Sequence, residues 1–385
     1  CLQHDREDVL TGDADDAAHE VEEWCKDFGI FPRFEYRTAQ RTTVKTRYVA
    51  DGQLIFRHDK ERHYISNNYK EMSTERIDLS DCDVLVFADY NKGMVDDYDI
   101  PVLFGAARIA DVPVVVDCKP CNLPVFAGAT FITPNEAELA EMCSLYLPAV
   151  SGGPPVPDVH KLASAHDIEW VVCTRGSEGL DVYSVAEDYR REGLVHTYNP
   201  TRVRPKRTRK VYDVTGAGDV VTAALARTLV GPKCHPQTRF EFANTAAGLA
   251  VEQPGTTTVD YADVITAQEE ERLNSKIIST ADCPAIVSYF QDECGKCVVF
   301  TNGCFDLLHP GHVHLLRAAK AEGDLLIVAV NSDESVWSLK GEDRPVLPLH
   351  LRMQALASVD AVDHVVSFDE ETPEALIRGI RPDVL

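Results

Sequence analysis

Two short stretches combine residue types that handle phosphate. In Asp213-Val214-Thr215-Gly216-Ala217-Gly218-Asp219, Gly216 and Gly218 let the backbone approach an anion. The apolar run that follows, to Ala226, reads as a helix whose unpaired N–H groups and dipole face that anion. A carboxylate at Asp219 would repel a bound phosphate, so it needs a chemical reason, and accepting the proton of an attacking alcohol supplies one. In the stretch Thr301 to Leu316, His309 and His312 straddle Pro310-Gly311, just after the apolar run Cys297-Val298-Val299-Phe300. Thr301-Asn302-Gly303 is a strand-end turn of the kind at which α/β sheets bind ligands, and Gly311 permits close approach of a phosphate at the mouth of a helix. Two imidazoles there can hydrogen-bond a pentacoordinate phosphoryl group without a covalent intermediate. Taken alone, either stretch is also an ordinary polar loop, and a zinc reading of the two histidines lacks a third nearby ligand.

The elements that must position these residues alternate. Asp83-Val84-Leu85-Val86-Phe87-Ala88, Val114-Val115-Val116, Thr130-Phe131-Ile132 and Trp170-Val171-Val172-Cys173 are continuous apolar runs of the buried parallel-strand kind, with helical stretches between several of them. Thr43 to Val49 and Gln53 to Arg57 flank Asp51-Gly52, a hairpin signal. Val21, Trp24, Cys25 and Phe28 fall on one face of an acidic helix, and residues 148–157 read as a loop. Asn135 and Glu138, after the third run, suit either a helix capping box or a magnesium site, and both roles can coexist. Thr174-Arg175-Gly176, after the fourth, is placed to meet nucleotide phosphates. Arg202, Arg204, Lys206, Arg207, Arg209 and Lys210 form a solvated loop or draw phosphates in. Residues 261–295 lose strand character, and a new alternating unit begins at Val298.

Composition narrows the function. A net charge of −24 argues against general nucleic-acid binding, which needs a positive field, and fits a well-hydrated cytoplasmic enzyme. No apolar run reaches the roughly 18 residues of a membrane span. The 12 cysteines include two distant Cys-x-x-Cys pairs, Cys118/Cys121 and Cys294/Cys297, without regular partner spacing, so reduced structural thiols are expected rather than zinc.

In the order Asn-x-x-Glu, Thr-Arg-Gly, Gly-Ala-Gly-Asp, the motifs of residues 1–265 resemble those of the ribokinase-like (PfkB-type) carbohydrate kinases. The resemblance implies Asp219 as catalytic base, and ATP contacts at Gly216, Ala217, Gly218, Asn135, Thr174, Gly176 and Asn244, with the Pro254-Gly255-Thr256-Thr257 turn beside the adenine. It implies magnesium near Glu138, and sugar-phosphate contacts from Lys45, Arg47, Arg57, Asp89 and Lys119. The hairpin becomes a β-lid over the sugar and a homodimer clasp. Asp117-Cys118-Lys119-Pro120 departs from the family's Asp-Pro-Lys-Gly turn at its second and fourth places.

Asn302 to His312 resembles the signature of the HxGH nucleotidyltransferases of the cytidylyltransferase-like group, with Asn331-Ser332-Asp333, Lys340, Arg344 and Arg352 as further blocks. That resemblance implies His309 and His312 as catalytic groups. It implies nucleotide contacts at Thr301, Asn302, Gly303, Phe305, Asp306, Gly311, Asn331, Asp333, Lys340, Arg344 and Arg352, with Lys340 and Arg352 neutralising triphosphate charge.

The expected fold class is α/β. A ribokinase-like three-layer α/β/α domain with a small β-lid (1–265) leads through a helical linker (266–295) to a Rossmann-like nucleotidyltransferase domain (296–385). The pair resembles the bifunctional heptose 7-phosphate kinase/heptose 1-phosphate adenylyltransferase family. The implied substrates are a small sugar phosphate and ATP, with no nucleic-acid or membrane partner. Two other readings stay open: the same chemistry on another sugar or polyol phosphate, with CTP as a candidate nucleotide, and an inactive fragment with a binding role. Both ends read as cut, since the kinase family's opening strand and the transferase family's terminal Ser/Thr-rich block are not among these residues.

Overall fold

A computed structural model describes residues 16–31, 43–50, 53–60, 78–91, 99–147, 158–184, 200–206, 209–232, 234–341 and 343–385. The Asp51-Gly52 turn, the loop at 148–157, Arg207 and the side chains of Arg47 and Arg57 lie outside them. The chain forms two compact units, Cys1–Val259 and Asp260–Leu385. The segment 266–295, expected as a linker, falls within the second unit.

In the first unit, helix α1 (Asp16–Asp27) leaves Trp24 and Phe28 exposed, so the apolar stripe read from its spacing is uncovered among the described residues. Strands β1 (Val44–Ala50) and β2 (Gln53–Lys60) form the expected antiparallel ribbon, with a register shift between Tyr48 and Val49. The main sheet contains β3 (Leu85–Ala88), β4 (Val114–Asp117), β5 (Phe131–Ile132), β6 (Trp170–Thr174), β7 (Leu180–Ser184) and β8 (Thr201–Val203), in that spatial order. The first four are parallel, while β7 runs antiparallel to both its neighbours.

Helices α2 (Asp99–Ile109), α3 (Glu136–Tyr146) and α4 (Val159–Ala165) pack on one face, and α5 (Ala217–Leu229) and α6 (Pro236–Val251) on the other. Alternation along β4 shows why. Val114 and Val116 enter the core with Ile100, Leu123, Leu139, Met142 and Leu162, whereas the equally buried Val115 points the opposite way. On that second face Phe131 meets the Phe240 ring of α6 edge-on. A strand covered on both sides can be apolar throughout, which is how these runs read.

The second unit starts with α7 (Tyr261–Lys276) and α8 (Cys283–Ser288) and continues through β9 (Val298–Gly303), α9 (Pro310–Ala321), β10 (Leu325–Asn331), α10 (Asp333–Lys340), α11 (Leu349–Ala357), β11 (His364–Phe368) and α12 (Glu374–Ile380). Its parallel sheet has the order β11-β10-β9. One face packs Cys283, Val287, Leu376 and Ile380 from α8 and α12, and the other packs Leu316, Met353 and Leu356 from α9 and α11, with Leu273 of α7. On the edge of β9 away from β10, Val384 bridges Val299 in parallel, and the Phe300 N–H donates to the Val384 carbonyl over 2.9 Å. Strand order therefore reverses at β9, and the crevice at such a point, beyond the carboxyl ends of the strands, is where open α/β sheets take ligands. No helix among the described residues is long and apolar enough to cross a membrane.

Candidate active sites

In the first unit, contacts run from strand to strand across the carboxyl ends of β3 to β6. Gly216 is the N-cap of α5 and adopts φ +79°, a left-handed conformation that glycine takes freely. Asp219 follows in the first turn, and its Oδ1 accepts a 2.9 Å bond from the Tyr90 hydroxyl, just after β3. Thr133 at the end of β5 shares a 2.8 Å hydroxyl contact with Thr222 of α5, which ties that helix to the sheet. The Thr256 methyl would lie 3.2 Å from a Cβ at Gly216, so the Pro254-to-Thr257 turn borders the glycine turn at the start of α5.

Asn135 and Glu138 form the capping box that opens α3. The Asn135 side chain accepts from the Glu138 N–H at 2.9 Å, and Glu138 Oε2 accepts from the Asn135 N–H at 3.0 Å. The other oxygen, Oε1, takes the Lys119 ammonium at 2.6 Å. Both carboxylate oxygens of Glu138 are thus engaged, and no set of three His, Cys, Asp or Glu side chains among the described residues converges to hold a metal. Asn135 also bridges Thr174, and Gly176 follows with φ +54°. Asn244 is half-buried on α6.

Asp89, expected against the sugar phosphate, is buried. Its Oδ1 accepts from the Asn91 N–H at 2.7 Å, and its Oδ2 from the Lys119 N–H at 3.2 Å and Asn122 Nδ2 at 2.8 Å. With those bonds it clamps two loops together and presents no free edge to a substrate. Lys119 lies among carboxylates. Burial pulls its ammonium down, but the bond to Glu138 and the charges of Glu138, Asp117 and Asp89 outweigh this and leave it above its ordinary value. Asp117 is pushed up to about 6 by burial, which Lys119 opposes and the charges of Glu138, Asp219 and Asp89 reinforce.

Four residues of the basic run have partners within the fold. Arg202 pairs with Asp181, Lys206 with Glu241 and Arg209 with Glu252, while Lys210 lies over the Tyr212 ring. Arg175 of the Thr-Arg-Gly motif likewise binds Asp181 and Glu136.

In the second unit, His309 caps α9: its Nδ1 accepts from the Gly311 N–H at 3.1 Å. A neutral imidazole accepting at Nδ1 carries its proton on Nε2, which is then a donor. The His312 ring stacks on that of His309 with 3.9 Å between centroids, and Phe305 packs against His312 at 5.2 Å. Burial and the neighbouring His309 hold His312 below the usual histidine range, against a backbone bond at Leu307. A cleft of about 660 Å³ joins Asn302, Gly303, Cys304, His309, His312, Lys340 and Arg344.

Several residues expected to touch nucleotide are held by internal bonds around this cleft, and Phe305 and Asp306 line it. Arg352 is fully buried and donates to the Leu347 carbonyl (3.0 Å), the Cys304 carbonyl (2.7 Å) and Asp333 Oδ1 (2.7 Å). The triphosphate contact expected of it finds no exposed donor here, because the guanidinium is fully buried and three of its five N–H groups serve internal acceptors. Asp333 holds the Leu349 N–H as well. Asp306 is buried and accepts from the Val346 and Leu347 N–H groups and from Arg344 at 2.7 Å, and Asn331 donates to Ser335. Phe305 adopts φ +43°, and its ring lies over Gly303, where a Cβ would come within 3.1 Å. Thr301 is half-buried and Asn302 exposed at the end of β9, and Lys340 is exposed.

Comparison with known proteins follows this division. The pfkB family carbohydrate kinase profile matches residues 13–263, and the cytidylyltransferase-like profile matches residues 300–385. Over 382 residues the chain is 37% identical to the bifunctional protein HldE of Alkalilimnicola ehrlichii, covering 98% of this chain and 75% of that one. It is 38% identical over 352 residues to that of Rhodospirillum rubrum (90% and 68%). Against the Pseudomonas aeruginosa protein (strain UCBPP-PA14) the figure is 35% over 374 residues (96% and 74%).

Proposed function

The chain belongs to the family of the bifunctional HldE proteins, and from that premise we propose that it activates a heptose in two ATP-dependent steps. The first unit phosphorylates heptose 7-phosphate at its anomeric oxygen. A separate phosphatase removes the 7-phosphate, and the second unit transfers AMP to heptose 1-phosphate, giving ADP-heptose. The observation that carries this reading is the presence of two different phosphate sites at helix N-termini of one chain, an Asp219 carboxylate on α5 and a His309 cap on α9.

In the kinase step, Asp219 takes the proton of the anomeric hydroxyl while its oxygen bonds to the γ-phosphorus and the bond to ADP breaks. The N–H groups of Ala217, Gly218 and Asp219 stabilise the charge on the phosphoryl oxygens. In the transfer step, a phosphate oxygen of the sugar attacks the α-phosphorus of ATP and pyrophosphate leaves. His309 Nε2 and His312 donate to the charge that builds there, and the cations Lys340 and Arg344 lie at the same cleft. Magnesium enters as the ATP complex, as part of the substrate. A cytoplasmic setting, where both substrates occur, and a homodimer complete the reading. Support for the dimer is a two-stranded ribbon, marginal alone, that stacks Tyr48 on Phe56 at 4.1 Å and exposes Ile55.

The test is mass spectrometry of two reactions. ATP with D-glycero-D-manno-heptose 7-phosphate should give ADP and a heptose bisphosphate. ATP with heptose 1-phosphate should give ADP-heptose and pyrophosphate. Turnover only with other sugar phosphates, or only with CTP, would overturn the substrate assignment.

A further inference from the structure

The Tyr90–Asp219 contact joins positions 129 residues apart, and a built support presents it. Tyr90 sits between Asp89 and Asn91. The buried Asp89 carboxylate accepts from the Asn91 N–H, the Lys119 N–H and Asn122 Nδ2, and Asn91 turns the chain at φ +53°. The loop is thereby locked to the end of β4, and the Tyr90 ring is held out over the start of α5.

The two oxygens of Asp219 face different things. Oδ1 takes the Tyr90 hydroxyl, whereas Oδ2 is turned toward the glycine turn, 4.0 Å from where a Cβ would sit on Gly216. An unheld carboxylate rotates about its terminal bond, a broad and nearly two-fold torsion, so a general base gains from a third group that fixes its orientation.

We propose that Tyr90 is a positioning residue for the kinase reaction: it holds Asp219 by one oxygen so that the other faces the acceptor hydroxyl. The proposal rests on the kinase reading above. In the reaction the acceptor proton passes to Oδ2, and the Tyr90 proton stays where it is. Partial desolvation of the half-exposed ring, then the bond to and charge of Asp219, push the phenol up to about 12, which keeps it a donor. Among the described residues, Asp117 of β4 also faces Asp219 and is itself ringed by Lys119, Glu138 and Asp89.

Tyr90→Phe keeps the ring and removes the hydroxyl. Kinase kcat should fall about tenfold or more, with KM for ATP and for the sugar phosphate held within about twofold, because the hydroxyl touches neither. Thermal unfolding should be unchanged, which separates lost positioning from lost folding. Asp89→Asn, acting through the loop, should lower kcat in the same sense. An unchanged kcat in Tyr90→Phe overturns the proposal. So does a loss that appears in KM rather than in kcat, which marks a direct substrate contact instead. Absence of kinase turnover in the unmodified protein would be a different result, since it removes the kinase reading itself.

Discussion

The His309 and His312 rings lie nearly parallel, 23° apart in plane and 3.9 Å between centroids, and Gly311 is what allows it. A Cβ there would meet His309 Cε1 at 2.9 Å and Nδ1 at 3.0 Å. The ring folds back over the glycine to accept its N–H, which leaves Nε2 free for a phosphate. Gly311→Ala should therefore push the ring aside and lower adenylyl transfer at least about tenfold, as should His309→Ala. Kinase turnover in the same preparations should be unchanged. ADP-heptose formation from supplied heptose 1-phosphate is the measurement.

Asp219→Asn should produce the opposite pattern. The amide keeps size and shape but does not accept the acceptor's proton. Kinase turnover should fall by about 100-fold or more, while ATP binding and ADP-heptose formation persist. Coupled ADP release and product assay on one preparation check both halves.

Arg352→Leu should destabilise the second unit by roughly 3 kcal/mol. It would leave the Leu347 and Cys304 carbonyls and Asp333 without the donors they now have. Arg352→Lys should recover little of this, because one ammonium does not span three acceptors in that geometry. Lys340→Ala, at an exposed position, should instead raise KM for ATP and leave stability alone. Urea unfolding followed by far-UV circular dichroism, with KM for ATP measured on the same preparations, separates the two.

Asp117 makes folding of the first unit depend on pH. Its native value, pushed up to about 6 by burial, lies above the usual 3.8. The native state holds that proton more tightly than the unfolded chain, so stability from this group is full below the ordinary value and lost as pH rises through about 6. Asp117→Asn should stabilise the unit at pH above that value by on the order of 1–3 kcal/mol and have little effect in acid. Denaturant midpoints on either side of the window decide it.

In the second unit the sign reverses. Burial holds His312 and His364 below the usual range, so the unfolded chain takes up protons first. The stability they contribute is present above about 6.5 and is lost as pH falls toward their lower native values. Unfolding midpoints should drop as the pH is lowered from neutrality, and His364→Phe should flatten that slope.

The features legible in the chain are those made by neighbours in sequence. Gly216 at a left-handed cap, the Asn135/Glu138 box, and His309 bonding two residues ahead each need only a few adjacent residues and a helix start. Continuous apolar runs announced a covered parallel sheet in the same local way. Arg352 misled because a charged residue in a known block looks the same whether it faces a ligand or the core. Tyr90 gave no signal beyond its place after a strand.

The sequence by itself determined the two glycine-containing turns at helix starts, the alternating α/β pattern and the two-part organisation, because turn and helix-start chemistry is local and periodicity marks which faces are buried. Only the tertiary structure decided which charged groups remain for a substrate. Asp89, Asp306 and Arg352 were assigned to ligands by resemblance, and each is buried and bonded to internal partners. Asp219 meets Tyr90 only because a parallel sheet brings the ends of β3 and the start of α5 together. The physical reason is desolvation: a buried charge must be paired, and its partners, far off in sequence, are chosen by the fold.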